Sequence, residues 1–271
     1  MIRRLLMVIM MMGAWSASAH AQAPAAYVAA TLQPGLAGAG SAAEIPFLLS
    51  FTLQPGWYMY WRTPGDSGLS PQFDMAKSVN VKDMNIGWAA PKRFEQDGMF
   101  SFGYDNEVSM PVTVTPVEAG KAMTLALDIS LIVCNKICVP QNISVSADVP
   151  EGTALMSDVS ERIKKLTAAL PVKGGGGDDF RLDTAVLGKG AVILTMFSRD
   201  GFDGTDIFVE SNEIALTVRP QVEQDASNKQ AAIFRIDAPE GTDDLTALLL
   251  GKTITVTAVK GDKAVEKNFS F

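Results

Sequence analysis

The segment LALDISLIVCNKICVPQNISVSADV, residues 125–149, alternates apolar and polar positions on both sides of a short polar interruption. Leu125, Leu127, Ile129, Leu131 and Val133 precede the interruption; Ile143, Val145, Ala147 and Val149 follow it. A period of two places alternate side chains on opposite faces of an extended chain, so the pattern predicts a β-hairpin with one buried face. Shorter runs near 27–32, 45–53, 57–61, 84–89 and 107–117 read as further strands, with Pro and Gly between them as turns. An antiparallel sandwich is the architecture expected of this half.

The C-terminal half repeats the pattern. RLDTAVL, AVILTMF, DIFVE, IALTV, AAIFRIDA, TITVTAV and AVEKNFSF supply seven short strands, which suits a second sandwich. Between the halves, Thr153 is placed to cap a helix with Leu155, Val159, Ile163, Leu166 and Leu170 on one stripe, packed against the first sandwich. Four consecutive glycines from Gly174 to Gly177 read as a flexible joint. The expected fold is therefore all-β, with two immunoglobulin-like antiparallel β-sandwich domains, 24–150 and 178–271. One short connecting helix and the Gly-rich linker occupy 151–177.

At the N-terminus, Arg3 and Arg4 precede the apolar run LLMVIMMMGA and the small-residue stretch ASAHAQA. That order predicts a signal peptide over 1–21, cleaved near 19–23. The apolar run is half the length that a bilayer requires, so export with no membrane insertion after leader removal is expected. Loss of Arg3 and Arg4 takes the formal charge from −7 to −9, a poor match for nucleic acid or an anionic membrane. The one histidine, His20, lies in or beside the leader. Cys–His and Ser–His–Asp catalysis and histidine-based zinc sites are thereby excluded.

The two cysteines, Cys134 and Cys138, fall near the hairpin tip. In an oxidising compartment such a pair joins, and a tight turn can bring positions four apart within bridging distance. As a staple the bridge is inefficient: closing five residues stabilises by about 2 kcal/mol, against about 4.7 kcal/mol for a hundred-residue loop. Asn135 and Lys136 form a polar turn that another protein can reach, and the Lys136 ammonium favours a nearby thiolate. Redox exchange, a local structural bridge and Cu(I) binding with soft methionine ligands all remain open at this level. The eight methionines outside the leader are scattered, and zinc would lack two ligands, so a metal is the least favoured of the three.

A second stretch, PGWYMYWRTPGDSGLSP at 55–71, is a turn, an aromatic strand and another turn. Alternation puts Trp57, Met59 and Trp61 on one face, as core, and Tyr58 and Tyr60 on the other, where aromatics can wall a site. With WAAPKRF, FGYDNEVSMPV and VCNKICVP in the same order, the stretch resembles the periplasmic N-terminal region of the disulfide reductase DsbD. Its likeness is to the branch called suppressor of copper sensitivity protein B, ScsB. DIFVES and AVEKNFSF resemble that branch's second sandwich domain.

The resemblance implies a periplasmic thiol–disulfide exchange module, a thiol:disulfide oxidoreductase without an organic cofactor. Cys134 and Cys138 become the exchanging pair and Cys138 the attacking thiol, with Tyr58 and Tyr60 beside them. A cap loop is expected between Lys92 and Gly103, its lid Phe94, Phe100 or Phe102. The implied partners are a membrane-embedded thiol relay with a thioredoxin-like domain, on a separate chain, and oxidised periplasmic proteins. The rival readings are a non-catalytic periplasmic binding module with a structural disulfide, and a Cu(I)-handling protein.

Overall fold

The computed structural model describes residues 26–224 and 228–271; the expected leader lies outside them. Ten strands come first: β1 (Val28–Pro34), β2 (Ile45–Leu53), β3 (Tyr58–Gly65), β4 (Gln72–Asp74), β5 (Val81–Ile86), β6 (Lys92–Gln96), β7 (Met99–Asp105), β8 (Glu107–Pro116), β9 (Met123–Cys134) and β10 (Cys138–Val149). They form two sheets, one ordered β1-β2-β8-β5 and the other β10-β9-β3-β7-β6, with β4 also paired to β9. Helix α1 (Ser160–Ala168) follows, then β11 (Val172–Lys173), β12 (Phe180–Leu187), β13 (Ala191–Ser198), β14 (Asp206–Glu210), β15 (Gln221–Gln224), β16 (Ala231–Asp237), α2 (Leu245–Leu249), β17 (Thr253–Lys260) and β18 (Lys263–Ser270). These strands make the second pair of sheets, β11-β18-β17-β14 and β12-β13-β16-β15. Every named pairing is antiparallel except β11 with β18. The molecule is all-β in two immunoglobulin-like sandwiches, and no helix among the described residues is long and apolar enough to cross a membrane.

Burial explains the strand compositions. β2 lies between β1 and β8, and its sequence IPFLLSFTL is buried almost continuously, as a central strand requires. β9 keeps strict alternation, with Met123, Leu125, Leu127, Ile129, Leu131 and Val133 all buried. Phe47 and Phe51 are fully buried, each worth roughly 1.5–3 kcal/mol of transfer free energy.

The helix is shorter than its apolar spacing implies. It begins after Val159, which has no side-chain cap bond, so Thr153 is not its cap. Tertiary backbone pairing claims the preceding residues: Gly40 N–H donates to Gly152 O, Ala37 N–H to Leu155 O, and Ser157 N–H to Gly35 O. Leu155 is exposed, while Ile163 packs into the first sandwich near Gly35 and Pro46. The run IALTV joins no ladder among the described residues; β15 forms at Gln221–Gln224 instead. The strand expected at 84–89 starts earlier and ends at Ile86, after which Gly87 N–H turns to Pro111 O. α2, with Asp244 accepting from Thr246 and Ala247 N–H, has no counterpart in the sequence reading.

The four glycines form a hydrogen-bonded turn. Gly175 N–H donates to Glu266 O, Leu182 N–H to Gly175 O, and Gly177 N–H to Phe180 O. At Gly176, φ is +97° and a Cβ would stand 2.3 Å from the Phe180 carbonyl oxygen, so glycine is required for the turn rather than for looseness.

β14 joins the two sandwiches. Ile207 and Val209 point into the second core, whereas Phe208 belongs to the first, with its ring 4.9 Å from Phe102 and 6.2 Å from Trp61. Alternation puts Asp206 and Glu210 on the same side as Phe208. Glu210 accepts from Arg62 Nη2 at 2.5 Å and from Thr63 Oγ1 at 2.6 Å, and Asp206 accepts from Arg93 Nη2 at 2.9 Å. Glu266 and Lys173 extend the cluster: Arg62 reaches Glu266 at 2.5 Å, and Lys173 pairs with the same carboxylate. An apolar plug flanked by two arginine–carboxylate pairs holds the sandwiches together.

Candidate functional site

The β9–β10 hairpin carries the cysteines at its end. Cys134 and Cys138 are direct cross-strand partners with Cα atoms 4.1 Å apart, and their sulfurs are bonded. Directly opposed positions in an antiparallel pair bring Cβ atoms close enough for this. Asn135, Lys136 and Ile137 form the exposed tip, closed by Asn135 N–H donating to Ile137 O at 3.0 Å. The two sulfurs sit in different surroundings: Cys134 is completely buried, whereas Cys138 is exposed. Lys136 stands in solvent and forms no ion pair among the described residues.

Neighbouring β3 supplies the wall behind the pair. Tyr58 is the Cα partner of Cys134 on the side away from β10. Met59 and Trp61 point into the core, so Tyr58 and Tyr60 face outward with the disulfide. The Tyr60 hydroxyl lies 3.1 Å from Cys134 Sγ and 3.8 Å from Cys138 Sγ. Neither bonded sulfur carries a proton, so the phenol is the donor. Although it points outward, Tyr60 is 2% exposed, because the turn after β3 folds over its ring. Gly68, at φ +92°, lies so close that a Cβ there would stand 2.1 Å from Tyr60 Cζ. Burial first, then the Tyr58 phenol, push the Tyr60 hydroxyl up to about 12, against the opposing hydrogen bonds of Ser67 and Ser101. Tyr60 therefore stays a neutral donor throughout the physiological range.

The three candidate lid residues separate. Phe94 on β6 stacks on Tyr58, centroids 4.5 Å apart and planes 11° from parallel, and Tyr58 meets Tyr60 edge-on at 5.6 Å. Phe102 is fully buried in the first core beneath Phe208. Phe100 is half-buried beside the Arg93 guanidinium. Phe94 thus extends the aromatic wall, and Phe102 is core.

An apolar groove of about 500 Å3 opens beside the pair, lined among others by Leu69, Leu131, Ile132 and Pro140. Ile132 and Pro140 are the next cross-strand pair on the face of the hairpin that carries the disulfide. Chemically, the arrangement offers one accessible sulfur, one shielded sulfur with a hydrogen-bond donor, and apolar surface alongside. Among the described residues, no three His, Cys, Asp or Glu side chains converge as a metal site. Sequence reasoning misses the arginine–carboxylate clamps behind this wall. The alternation of DIFVE signals a second face for Asp206, Phe208 and Glu210 but names nothing that covers it.

Known proteins resemble this chain in separate segments and in fold. Residues 32–150 match the family model for the N-terminal part of the thiol:disulfide interchange protein DsbD, and residues 170–271 match a domain of unknown function, DUF8393. The N-terminal periplasmic domain of ScsB from Proteus mirabilis superposes at a TM-score of 0.67 with 20% identity, over 90% of this chain and 91% of that one. A marsupial T cell receptor chain aligns over 92% of this chain and 99% of its own at 10% identity, with a TM-score of 0.24 that supports no inference. No curated protein sequence matches significantly. The cysteine pair and its tyrosine wall all lie inside residues 32–150, the segment that matches the DsbD N-terminal family model.

Proposed function

We propose that the chain is a thiol–disulfide exchange module of the periplasm, passing reducing equivalents through Cys134 and Cys138 from a membrane-embedded thiol relay to oxidised periplasmic proteins. The observation that carries this reading is the asymmetry of the pair: exposed Cys138 beside fully buried Cys134, with the Tyr60 hydroxyl 3.1 Å from the buried sulfur. A bridge spanning five residues adds little stability, whereas one open sulfur and one shielded sulfur suit exchange.

In the reduced state, the Cys138 thiolate attacks one sulfur of a substrate disulfide. A mixed disulfide forms and the other substrate sulfur leaves as a thiolate. The Cys134 thiolate then attacks Cys138 Sγ, closing the Cys134–Cys138 bond and releasing the second substrate thiolate. Two electrons have passed to the substrate, whose two thiolates take up protons from water. The Tyr60 O–H steadies the Cys134 thiolate before its attack. Lys136, in solvent at the tip, contributes a long-range field at most. A dithiol on the thioredoxin-like domain of the relay restores the pair by the reverse exchange. Segments flanking the partner's cysteine meet the groove at Leu69, Ile132 and Pro140.

The test is the reduction potential of the pair in the purified chain, by thiol trapping across a dithiothreitol or glutathione series. A value near about −200 mV, with rapid exchange against a thioredoxin-like protein, is expected of a carrier. A value below about −300 mV with no native exchange would make the bridge structural and favour a binding module. Cu(I) handling predicts stoichiometric metal on the reduced protein and none on the oxidised one.

A further inference from the structure

We propose that Arg93 is a positioning residue, through which the second sandwich holds Phe94 against the tyrosine wall of the disulfide. The inference deepens the exchange reading and rests on it for its biological meaning. β6, which carries Phe94, is the outermost strand of its sheet and, among the described residues, pairs with β7 alone. An edge strand bonded on one side is the part of a sheet most easily displaced. Phe94 faces outward onto Tyr58, so Arg93, its neighbour in the strand, faces inward.

The Arg93 side chain is 1% exposed, and all of its hydrogen-bond acceptors belong to the second sandwich. Nε and Nη2 donate to the Asp206 carboxylate at 3.0 and 2.9 Å, Nη2 to Ile207 O at 2.6 Å, and Nη1 to Thr217 O. The guanidinium carbon also lies 4.9 Å from the Phe102 ring and 5.2 Å from that of Phe208. A planar guanidinium held by a fork of bonds to a carboxylate and two carbonyls has one orientation. It fixes the backbone of β6 one residue from Phe94.

A second tie runs in parallel. Thr217 Oγ1 donates to Asp66 Oδ1, while Asp66 Oδ2 accepts from Phe100 N–H at 2.7 Å and Asp66 N–H donates to Phe100 O at 2.8 Å. Asp66 precedes Gly68, which covers Tyr60. The hairpin bearing Phe94 and the turn over Tyr60 are thus both fastened to residues 206–217. Within IALTV, both the Thr217 carbonyl and its hydroxyl are engaged by the first sandwich.

A bond that merely glues two domains would cost stability when lost, without altering access to a disulfide elsewhere. The experiment therefore reads access. The oxidised full chain is reduced with dithiothreitol and the rate followed by thiol trapping, at a temperature where circular dichroism shows each variant folded. Arg93→Met keeps the stem over Phe102 and removes every donor. Asp206→Asn removes one charge, leaves both carbonyls, and serves if Arg93→Met fails to fold. Glu210→Gln loosens the same interface at Arg62, away from β6.

Arg93→Met should react about tenfold faster and Asp206→Asn more than about threefold faster, with Glu210→Gln within about twofold of the parent. Phe94→Ala should reproduce the acceleration, and Arg93→Met should add less than about twofold on top of it. Rates within about threefold of the parent in the folded Arg93 and Asp206 variants, equal acceleration by Glu210→Gln, or additive effects of Phe94 and Arg93 each overturn the proposal. The chemical reductant probes the brace even if the pair exchanges with no protein. Failure of the exchange reading shows separately, in the reduction potential.

Discussion

The Tyr60 hydroxyl lies 3.1 Å from the sulfur of Cys134 and 3.8 Å from that of Cys138, so the phenol serves the buried member of the pair. Once the bridge is reduced, that hydroxyl faces the group that must become a thiolate in order to close it again. Tyr60→Phe should raise the Cys134 thiol pKa by roughly one to two units, the equivalent of a hydrogen bond to a charged acceptor. The check is ultraviolet thiolate absorbance against pH in a Cys138→Ser background, where Cys134 titrates alone. An unchanged titration would remove Tyr60 from the chemistry.

The exposure difference between the sulfurs has its own signature. In Cys134→Ser the remaining Cys138 thiol is open, and in Cys138→Ser the remaining Cys134 thiol is buried. Alkylation by iodoacetamide at equal thiolate fraction should be at least about tenfold faster for Cys138. The double serine variant should lose no more than about 2 kcal/mol of stability in denaturant titrations, since the lost loop is five residues. Equal alkylation rates would refute the assignment of Cys138 as the attacking thiol.

Acid should loosen the joint between the sandwiches. Burial alone would raise the Glu266 carboxyl, but hydrogen bonds and charge from Lys173 and Arg62 overcome it and hold the group below the ordinary glutamate value of 4.5. A carboxyl depressed in the folded state binds protons more tightly when unfolded. Its stabilising effect is therefore full above 4.5 and is lost as pH falls below that value. Glu266→Gln should flatten the stability profile in that acidic window and lower stability at neutral pH, where Arg62 and Lys173 lose their shared partner. Parallel pH profiles for parent and variant would show that another group controls acid unfolding.

What can be read from sequence alone divides by distance along the chain. The tyrosine wall is legible, because YMYW alternates within one strand and the hairpin with its cysteines is local. The helix start is not: the spacing from Leu155 to Leu170 is helical, but residues 152–157 pair their backbone with the Gly35–Gly40 region, which lies over a hundred residues away. The glycine run suggests looseness by composition, yet its positive φ angles and bonds to Phe180, Leu182 and Glu266 build a specific turn. Phe94, Phe100 and Phe102 look equivalent in one dimension. Strand alternation and the docking of Phe208 separate them, and the docking is a contact between distant segments that no local pattern encodes.

Phe208 gives the last prediction. Its ring is 1% exposed and sits in the core of the first sandwich while its strand belongs to the second. A residue shared in this way makes the unfolding of one sandwich expose apolar surface of the other, which is a direct source of cooperativity between them. Phe208→Ala should cost about 3–5 kcal/mol, as for other buried phenylalanines. The loss falls on the coupling, because Ile207 and Val209 still anchor β14 in its own core. Calorimetry should show one transition in the parent and two in the variant, with the transition of the sandwich holding Trp61 identifiable by its fluorescence. A single transition that merely shifts to lower temperature would mean that the arginine–carboxylate pairs at Arg62 and Arg93 suffice to couple the domains without the ring.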